Sequence, residues 1–590
     1  RFVTDIRHDL GLEVAWEKFA CFSPALHRRG WDRRWDAVRN GVHVPQGMRR
    51  AQAVGVAQNR GVVVHGVPLG TRWFVGETLA RKGATAVSKV QRLTHLLRRR
   101  SLNALWSVLL YCCLPLLHHW LMLCPPEDSL QPAQMLDGAL LDASQVAIPA
   151  LAGNLDNRPV ARARLRQPAR VFGAGLRDQP GLVRHAAFVG TGERVVPKLA
   201  SFSPRCAEIV GVDSFDNGGT MFHRLIHDAP AEGVQLGPHL AASWGELQRM
   251  AGVDPQAEPT GEPLTHGAER MGGGCTPRLQ HEVTTAVETH QEQQLQQMVR
   301  ALPVDDVERI AYTNVDRFSA QWVRSWGGDG TGLTNFEWEF VTAWYFGLPV
   351  PALAPYVGRP IGRTRSVLDP YGFRLTCAKL PGDGYRSCHD GWLAHVLSDL
   401  RDMGVPCERE VTGLFRGMMP PVAAQAFDAM PWRERRGMVP DARMRLKDAD
   451  GAVQLLLAEL KFIHVGPTRY AARILNRDGR CQAVHERCRT VQREYVDKAR
   501  KLDRDLLGVR PGAPPGPIER RLVGYGEVRA MAVGSFGECS TFVHELAGKA
   551  ALAGAHKHFR RIRCASPDDA RSVLVAMLRR SWGMAALRAN

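Results

Sequence analysis

The sequence predicts a multidomain α/β chain, mostly helical in its N-terminal and connecting regions, with an αβββαβ core towards the C-terminus. Three observations carry this expectation. The chain has 590 residues, of which 45% are hydrophobic, too long for one ordinary domain and sufficient for three or four cores. From Val439 to Ile463 apolar residues alternate at period two, as in a β-hairpin. On both sides of that hairpin, apolar residues recur at threes and fours, the helical period.

Taken in order, Gly391–Met403 reads as a helix and Cys407–Phe415 as a strand. Next comes the hairpin. Ala442, Met444 and Leu446 alternate with polar partners, Lys447–Gly451 supplies a polar turn ending in Asp-Gly, and Val453–Ile463 is a long apolar strand. From Arg480 to Leu507, residues Val484, Cys488, Val491, Tyr495, Ala499, Leu502 and Leu506 mark one face of a helix, and Arg521–Val533 reads as a closing strand.

The hairpin also carries the sharpest chemical signal. Because side chains alternate across a strand, Leu456, Ala458, Leu460 and Phe462 form one apolar face, and Glu459 and Lys461 project together from the other. A Glu-x-Lys pair among leucines is costly to bury unless paired or metal-bound, and Asp441 at the start of the neighbouring strand can complete a divalent-metal site. The alternative is an edge strand with a surface ion pair and a turn-forming Pro-Asp.

Pro440-Asp441 followed by Glu459-Leu460-Lys461 resembles the PD-(D/E)xK signature of restriction-like nucleases, and the αβββαβ order is similar to their core. The resemblance implies a restriction-endonuclease-like domain. There Asp441 and Glu459 hold Mg²⁺, or Mn²⁺ in its place, and Lys461 acts beside the scissile phosphate. It further implies an auxiliary acid, Glu410 or Glu408, before the hairpin. Tyr495 and Lys498 match the polar positions on the following helix, unless Tyr495 packs and Lys498 is solvated.

Further towards the start, Gly11–Phe19 resembles the glycine-to-lysine motif that closes a reverse-transcriptase palm. By that resemblance Lys18 is a catalytic lysine able to protonate departing pyrophosphate; otherwise it is a solvated lysine ending a strand. Gly61–Gly70 resembles a primer-grip hairpin, and Val87–Leu123 resembles the thumb. Gly173–Arg177 through Ala186–Gly190 is similar to the glycine-rich segment after the thumb in LINE-type proteins. In this order, with a nuclease at the far end, the chain resembles the C-terminal portion of a non-LTR retrotransposon polyprotein. The family's catalytic aspartates lie upstream of Gly11, so the polymerase part is expected to be incomplete. The initial Arg is expected to mark a fragment or processed product.

The expected division is 1–75, palm end and primer-grip-like hairpin; 76–250, thumb-like helical region; 251–275, linker; 276–370, helical connector; 371–535, nuclease; and 536–590, C-terminal helices. The linker is rich in Gly, Pro, Thr and Glu. In the connector, Leu279, Val283, Ala286, Val287, Leu295, Met298 and Leu302 lie mostly on one helical face. Asp305–Trp326 is expected as a second helix, and the glutamines of Gln291–Gln297 as a solvated face. Cys377, Cys388, His389, His395 and Cys407 fall where related proteins carry a zinc motif, although Cys377 to Cys388 is too long for the usual paired cysteines; His389-Asp390 can instead cap a helix.

A net charge of +18, spread over arginine pairs such as Arg28-Arg29, Arg435-Arg436 and Arg560-Arg561, suits phosphate contacts along DNA or RNA. The 13 cysteines, odd in number and irregularly spaced, suit reduced thiols in an intracellular compartment, the nucleus on the family resemblance. Leu102–Leu123 approaches the length of a membrane span, but Pro115, His118 and His119 interrupt it, and a buried helix pair is expected instead. The expected function is Mg²⁺-dependent nicking of a DNA target to prime reverse transcription of the element's RNA. The alternative is a catalytically silent nucleic-acid-binding remnant of such an element.

Overall fold

A computed structural model describes most of residues 61–181 and 279–589, with only isolated positions outside these ranges. The expected palm-end motif with Lys18, the 251–275 linker and the Asp-rich part of the hairpin turn lie outside the described residues. What is described is a mixed α/β chain, mostly helical, with small sheets. It divides into two compact units: residues 1–95, 108–143 and 176–291 in one, and 96–107, 144–175 and 292–590 in the other.

In the first unit, Gly61–Val64 and Val67–Gly70 pair antiparallel. Gly66 turns the hairpin at φ 85°, a left-handed conformation natural to glycine. Trp120 Nε1 donates to its carbonyl at 2.9 Å. The helix Arg72–Leu97 follows, burying Val75 and Leu79 beside Cys124.

Leu102–Leu123 is one continuous helical run rather than the expected helix pair. An α-helix, Leu102–Val108, passes through a π turn, Leu109–Cys113, and a 3-10 turn, Leu114–Leu117, into a second α-helix, His118–Leu123. Pro115 is absorbed by the 3-10 turn instead of breaking the run. By length and composition it is the one described helical run apolar enough to cross a membrane. Leu105, Trp106, Leu109, Cys113, Leu117 and Leu121 are buried, so the run also passes for a core helix and is weak ground for a span.

The connector helix Leu279–Ala301 buries Val287, Leu295 and Val299, as its period requires. The expected helix over Asp305–Trp326 is instead Val307–Thr313 followed by a 3-10 segment, Ser319–Arg324. The cause is local. Asp316 accepts the backbone N–H groups of Phe318 at 2.7 Å and Ser319 at 2.9 Å, restarting the chain as a new turn.

Among the described residues, the C-terminal core, all in the second unit, includes the helices and strands α1 (Gly384–Asp402), β1 (Cys407–Arg409), α2 (Pro421–Ala429), β2 (Ala442–Lys447), β3 (Val453–Ile463), α3 (Gln482–Leu507), α4 (Pro517–Gly524), β4 (Arg529–Gly534), α5 (Thr541–His558) and α6 (Pro567–Ala589). The sheet order is β4-β3-β2-β1. The first three strands form an antiparallel meander and β4 joins β3 in parallel.

Two expected strands are shorter than the sequence suggested. The strand from Cys407 ends at Arg409, because Glu410 and Gly413 take positive φ (44° and 74°) and turn the chain towards α2. The first part of Arg521–Val533 is helical: Pro517 occupies the first turn of α4, and Asp503, buried on α3, accepts the N–H groups of Ile518 at 3.0 Å and Glu519 at 2.9 Å.

Helices cover both faces of the sheet. Met444, Leu456, Ala458, Leu460, Phe462 and Met531 pack with α1, α5 and α6, whereas Leu457, Ala530 and Val528 pack with α3 and α4. The second face is therefore apolar too, contrary to the expected split into one apolar and one polar face. β3 is a central strand buried on both sides, as strands with a parallel neighbour usually are.

Candidate active site

Glu459 and Lys461 lie on the α3 side of β3, and alternation places them beyond the fully buried Leu457 on that face. Their side chains meet, Lys461 Nζ standing 2.6 Å from Glu459 Oε1. The other carboxylate oxygen accepts the Tyr495 hydroxyl at 2.7 Å. Tyr495 is buried on α3 among Val491, Ala499 and Leu502, and burial, with Glu459 beside it, pushes its hydroxyl well above the usual tyrosine range. It is thus a fixed donor that orients Glu459. The expected alternative for Tyr495, packing, holds together with this contact. Lys498, one turn on, places its ammonium 5.4 Å from the Tyr495 ring.

Asp441 precedes β2, whose pairing with β3 begins at Ala442↔Ala458. Its Oδ2 accepts the Leu460 N–H at 2.7 Å. That bond fixes Asp441 beside the residue that follows Glu459, so the strand carrying Glu459 and Lys461 also anchors the aspartate. The same oxygen lies 3.4 Å from His389 Nε2, and the other ring nitrogen of His389 lies 3.1 Å from Asp390, which pairs with Arg409 at 3.1 Å. Burial alone would lower the His389 pKa, but the hydrogen bond and charge of Asp441, with those of Asp390, outweigh it and raise it above the ordinary value. Asp390, half-buried, is held below the usual carboxylate range: burial opposes this, and His389, Arg409 and Arg386 prevail.

The remaining candidates are dispersed. Glu410 donates its backbone N–H to the Asp441 carbonyl at 3.0 Å, while its exposed carboxylate lies 4.0 Å from Arg409. Glu408 pairs across strands with Arg443 at 2.5 Å. The expected zinc set does not fit a metal cage. His389 turns to Asp441 and Asp390, His395 Nε2 lies 2.7 Å from Ser581 Oγ, and Cys407 Sγ donates to the Leu397 carbonyl. Burial raises the thiol pKa values of Cys388 and Cys407 above their ordinary value. The side chain of Cys377 is outside the described residues. Nor do His389 and Asp390 cap a helix, because α1 begins at Gly384 and holds both within it.

No family model matches this chain, and no curated protein matches it.

Among the described residues no group of three or more His, Cys, Asp or Glu side chains forms a cation cage. A magnesium ion asks less, since it keeps several waters and is commonly held by one or two carboxylates. Asp441 and Glu459 supply that donor set: two carboxylates tied to consecutive positions of one strand, with a lysine beside them. The oxygen chemistry fits Mg²⁺ or Mn²⁺.

Sequence reasoning missed the linkage from Arg409 through Asp390 and His389 to Asp441. Its members come from α1, β1 and the entry to β2, and no sequence period connects them. It also missed Asp316, which accepts from Cys539 N at 2.8 Å and lies 2.8 Å from His544 Nε2 while shaping its own turn.

Proposed function

We propose that this chain is a divalent-metal-dependent DNA endonuclease of the restriction-like kind, acting within a protein of non-LTR retrotransposon type. The observation that carries the reading is the bond from Leu460 N to Asp441 Oδ2, which brings the Pro440-Asp441 pair against the Glu459-Leu460-Lys461 strand. The strand order β4-β3-β2-β1, with an antiparallel meander and a parallel fourth strand, supports it, as does a helix that precedes the meander and another between β3 and β4.

In this reading Asp441 and Glu459 hold the ion, which when bound neutralises charge on the phosphate and lowers the pKa of a water. Tyr495 fixes the direction of Glu459 by its hydroxyl. The Lys461 ammonium, half-buried and 2.6 Å from Glu459, supplies positive charge where negative charge grows on the phosphate oxygens. His389 faces the same Asp441 oxygen that accepts the Leu460 N–H. The antiparallel hairpin over residues 61–70 is of the form that a primer grip requires. The partners are then a DNA target and the element's RNA, in the nucleus.

One observation favours the second reading, a catalytically silent nucleic-acid-binding protein. Both Glu459 oxygens are already engaged, one by Lys461 and one by Tyr495. Supercoiled-plasmid nicking in Mg²⁺ and in EDTA separates the two. The unmodified chain is expected to nick only with Mg²⁺. Asp441→Asn keeps a side-chain oxygen for Leu460 N, and Glu459→Gln one for Tyr495, while each removes the charge. Each is expected to reduce nicking about a hundredfold or more with DNA binding retained. Nicking that persists in both variants places the chemistry elsewhere, and binding without nicking by the unmodified chain favours the silent reading.

A further inference from the structure

On the side of the sheet that carries Glu459 and Lys461, a groove of about 500 Å³ is lined by Leu455, Pro517, Arg520, Arg521, Gly524 and Tyr525. Leu455 shares its face of β3 with Leu457, Glu459 and Lys461. Glu459 lies four positions beyond Leu455, about 13 Å along the strand at the usual rise.

Among the described residues, no acid faces the groove's two arginines. Arg521 is held in place, its guanidinium 4.7 Å from the centre of the Tyr525 ring and donating to the Tyr525 hydroxyl at 2.8 Å. Neither contact neutralises it. Arg520 is exposed, and its guanidinium engages no described partner. Among the described residues no carboxylate lines the groove: Asp503 accepts the Ile518 and Glu519 N–H groups, and Glu519 pairs with Arg500 at 2.9 Å. Two guanidinium groups on one helical turn, one immobilised by an aromatic ring, suit repeated singly charged oxygen donors. That is the chemistry of a phosphodiester backbone.

We propose that this groove holds the sugar–phosphate backbone of the DNA substrate on the flank of the bond to be cut, with Arg520 and Arg521 each on a phosphate. The proposal rests on the nuclease reading for which DNA is bound, but its test does not use cleavage.

The test is fluorescence anisotropy of a labelled DNA duplex with the full chain, in EDTA, over a series of KCl concentrations. Three single variants are compared. Arg520→Ala removes one cation. Gly524→Glu brings a carboxylate to the groove, at a position where an added Cβ meets nothing within 4 Å. Arg571→Ala removes another exposed arginine, from α6, the helix packed on the opposite side of the sheet.

Arg520→Ala is expected to weaken binding about tenfold and to reduce the log–log salt slope by about one, the signature of one lost phosphate contact. Gly524→Glu is expected to weaken it further, and Arg571→Ala about twofold at most. If Arg520→Ala and Gly524→Glu match Arg571→Ala in affinity and slope, the groove does not hold DNA. Because no Mg²⁺ is present, this result stands apart from the plasmid assay: nicking bears on Asp441 and Glu459, binding in EDTA on Arg520 and Arg521.

Discussion

Asp441 has two roles that a single substitution must separate, since its carboxylate supports the Leu460 backbone at 2.7 Å and also faces His389 at 3.4 Å. An alanine there would remove a half-buried acceptor together with the charge, and lost activity would then report on structure as much as on chemistry. Tyr495 poses the same question for Glu459. Its ring belongs to the core, so Tyr495→Phe removes only the hydroxyl; stability in urea is expected to fall by about 1 kcal/mol and Mg²⁺-dependent nicking by about tenfold. Unchanged nicking would restrict Tyr495 to packing. The His389 pKa is raised in the fold above its ordinary 6.5, although burial works against this. A group raised in this way contributes stability that is fully present below the unfolded value and is lost as pH rises through the folded one. In EDTA, the urea midpoint of the unmodified chain is therefore expected to fall from pH 6 to pH 8 by more than that of His389→Ala. Equal falls would show that the contacts to Asp441 and Asp390 do not stabilise the fold.

At the scale of elements, the positions where the chain turns matter more than helix or strand length. Gly347 ends the helix Asn335–Phe346 at φ 71°, and a Cβ there would lie 2.5 Å from the Glu308 backbone; Gly451, at φ 79° before β3, has nothing within 4 Å. Both replacements by alanine meet the left-handed penalty of about 1 kcal/mol, but only Gly347→Ala also displaces backbone. Its urea stability is expected to fall by several times as much as that of Gly451→Ala, and similar losses would mean that the helix end relaxes freely. The same contrast between local and distant causes governs what was legible in the sequence. The period-two pattern of Ala442–Ile463 and the three-four pattern of residues 482–507 gave the hairpin and α3, because each depends only on its own residues. The helix α4 did not emerge, since its first N–H groups are capped by Asp503, a partner on another element. The break at Asp316 was missed because a side chain, not a change in hydrophobic period, restarts the chain there. Asp441, Glu459 and Lys461 were legible as a motif, whereas the contacts that orient them arrive from α1 and α3.

The whole molecule carries 77 Lys and Arg against 59 Asp and Glu, an excess of 18. Ion pairs do not remove it. Arg158–Glu308, Arg177–Glu288, Arg443–Glu408, Arg500–Glu519 and Arg529–Glu545 each consume one charge of either sign, so the same surplus remains however many acids are paired. A surplus of this size is either a compositional habit or a means of holding a polyanion, and salt distinguishes the two. When a protein neutralises phosphates it releases condensed counterions, and the logarithm of affinity falls linearly with the logarithm of salt at about 0.9 per phosphate. If about six arginines contact a DNA duplex, the slope is expected near −5, a loss of about a thousandfold between 50 and 200 mM KCl. A surface whose charge is merely dispersed has no such stoichiometry. Its weak attraction is screened within about 10 Å at 0.1 M salt and gives low affinity throughout. Anisotropy titrations of the full chain in EDTA, on duplex and single-stranded DNA, measure the slope directly. A slope of zero, or no binding at the lowest salt, would detach the positive charge from any nucleic-acid role and remove the electrostatic support for the nuclease reading, leaving that reading to rest on the Asp441–Glu459–Lys461 arrangement alone.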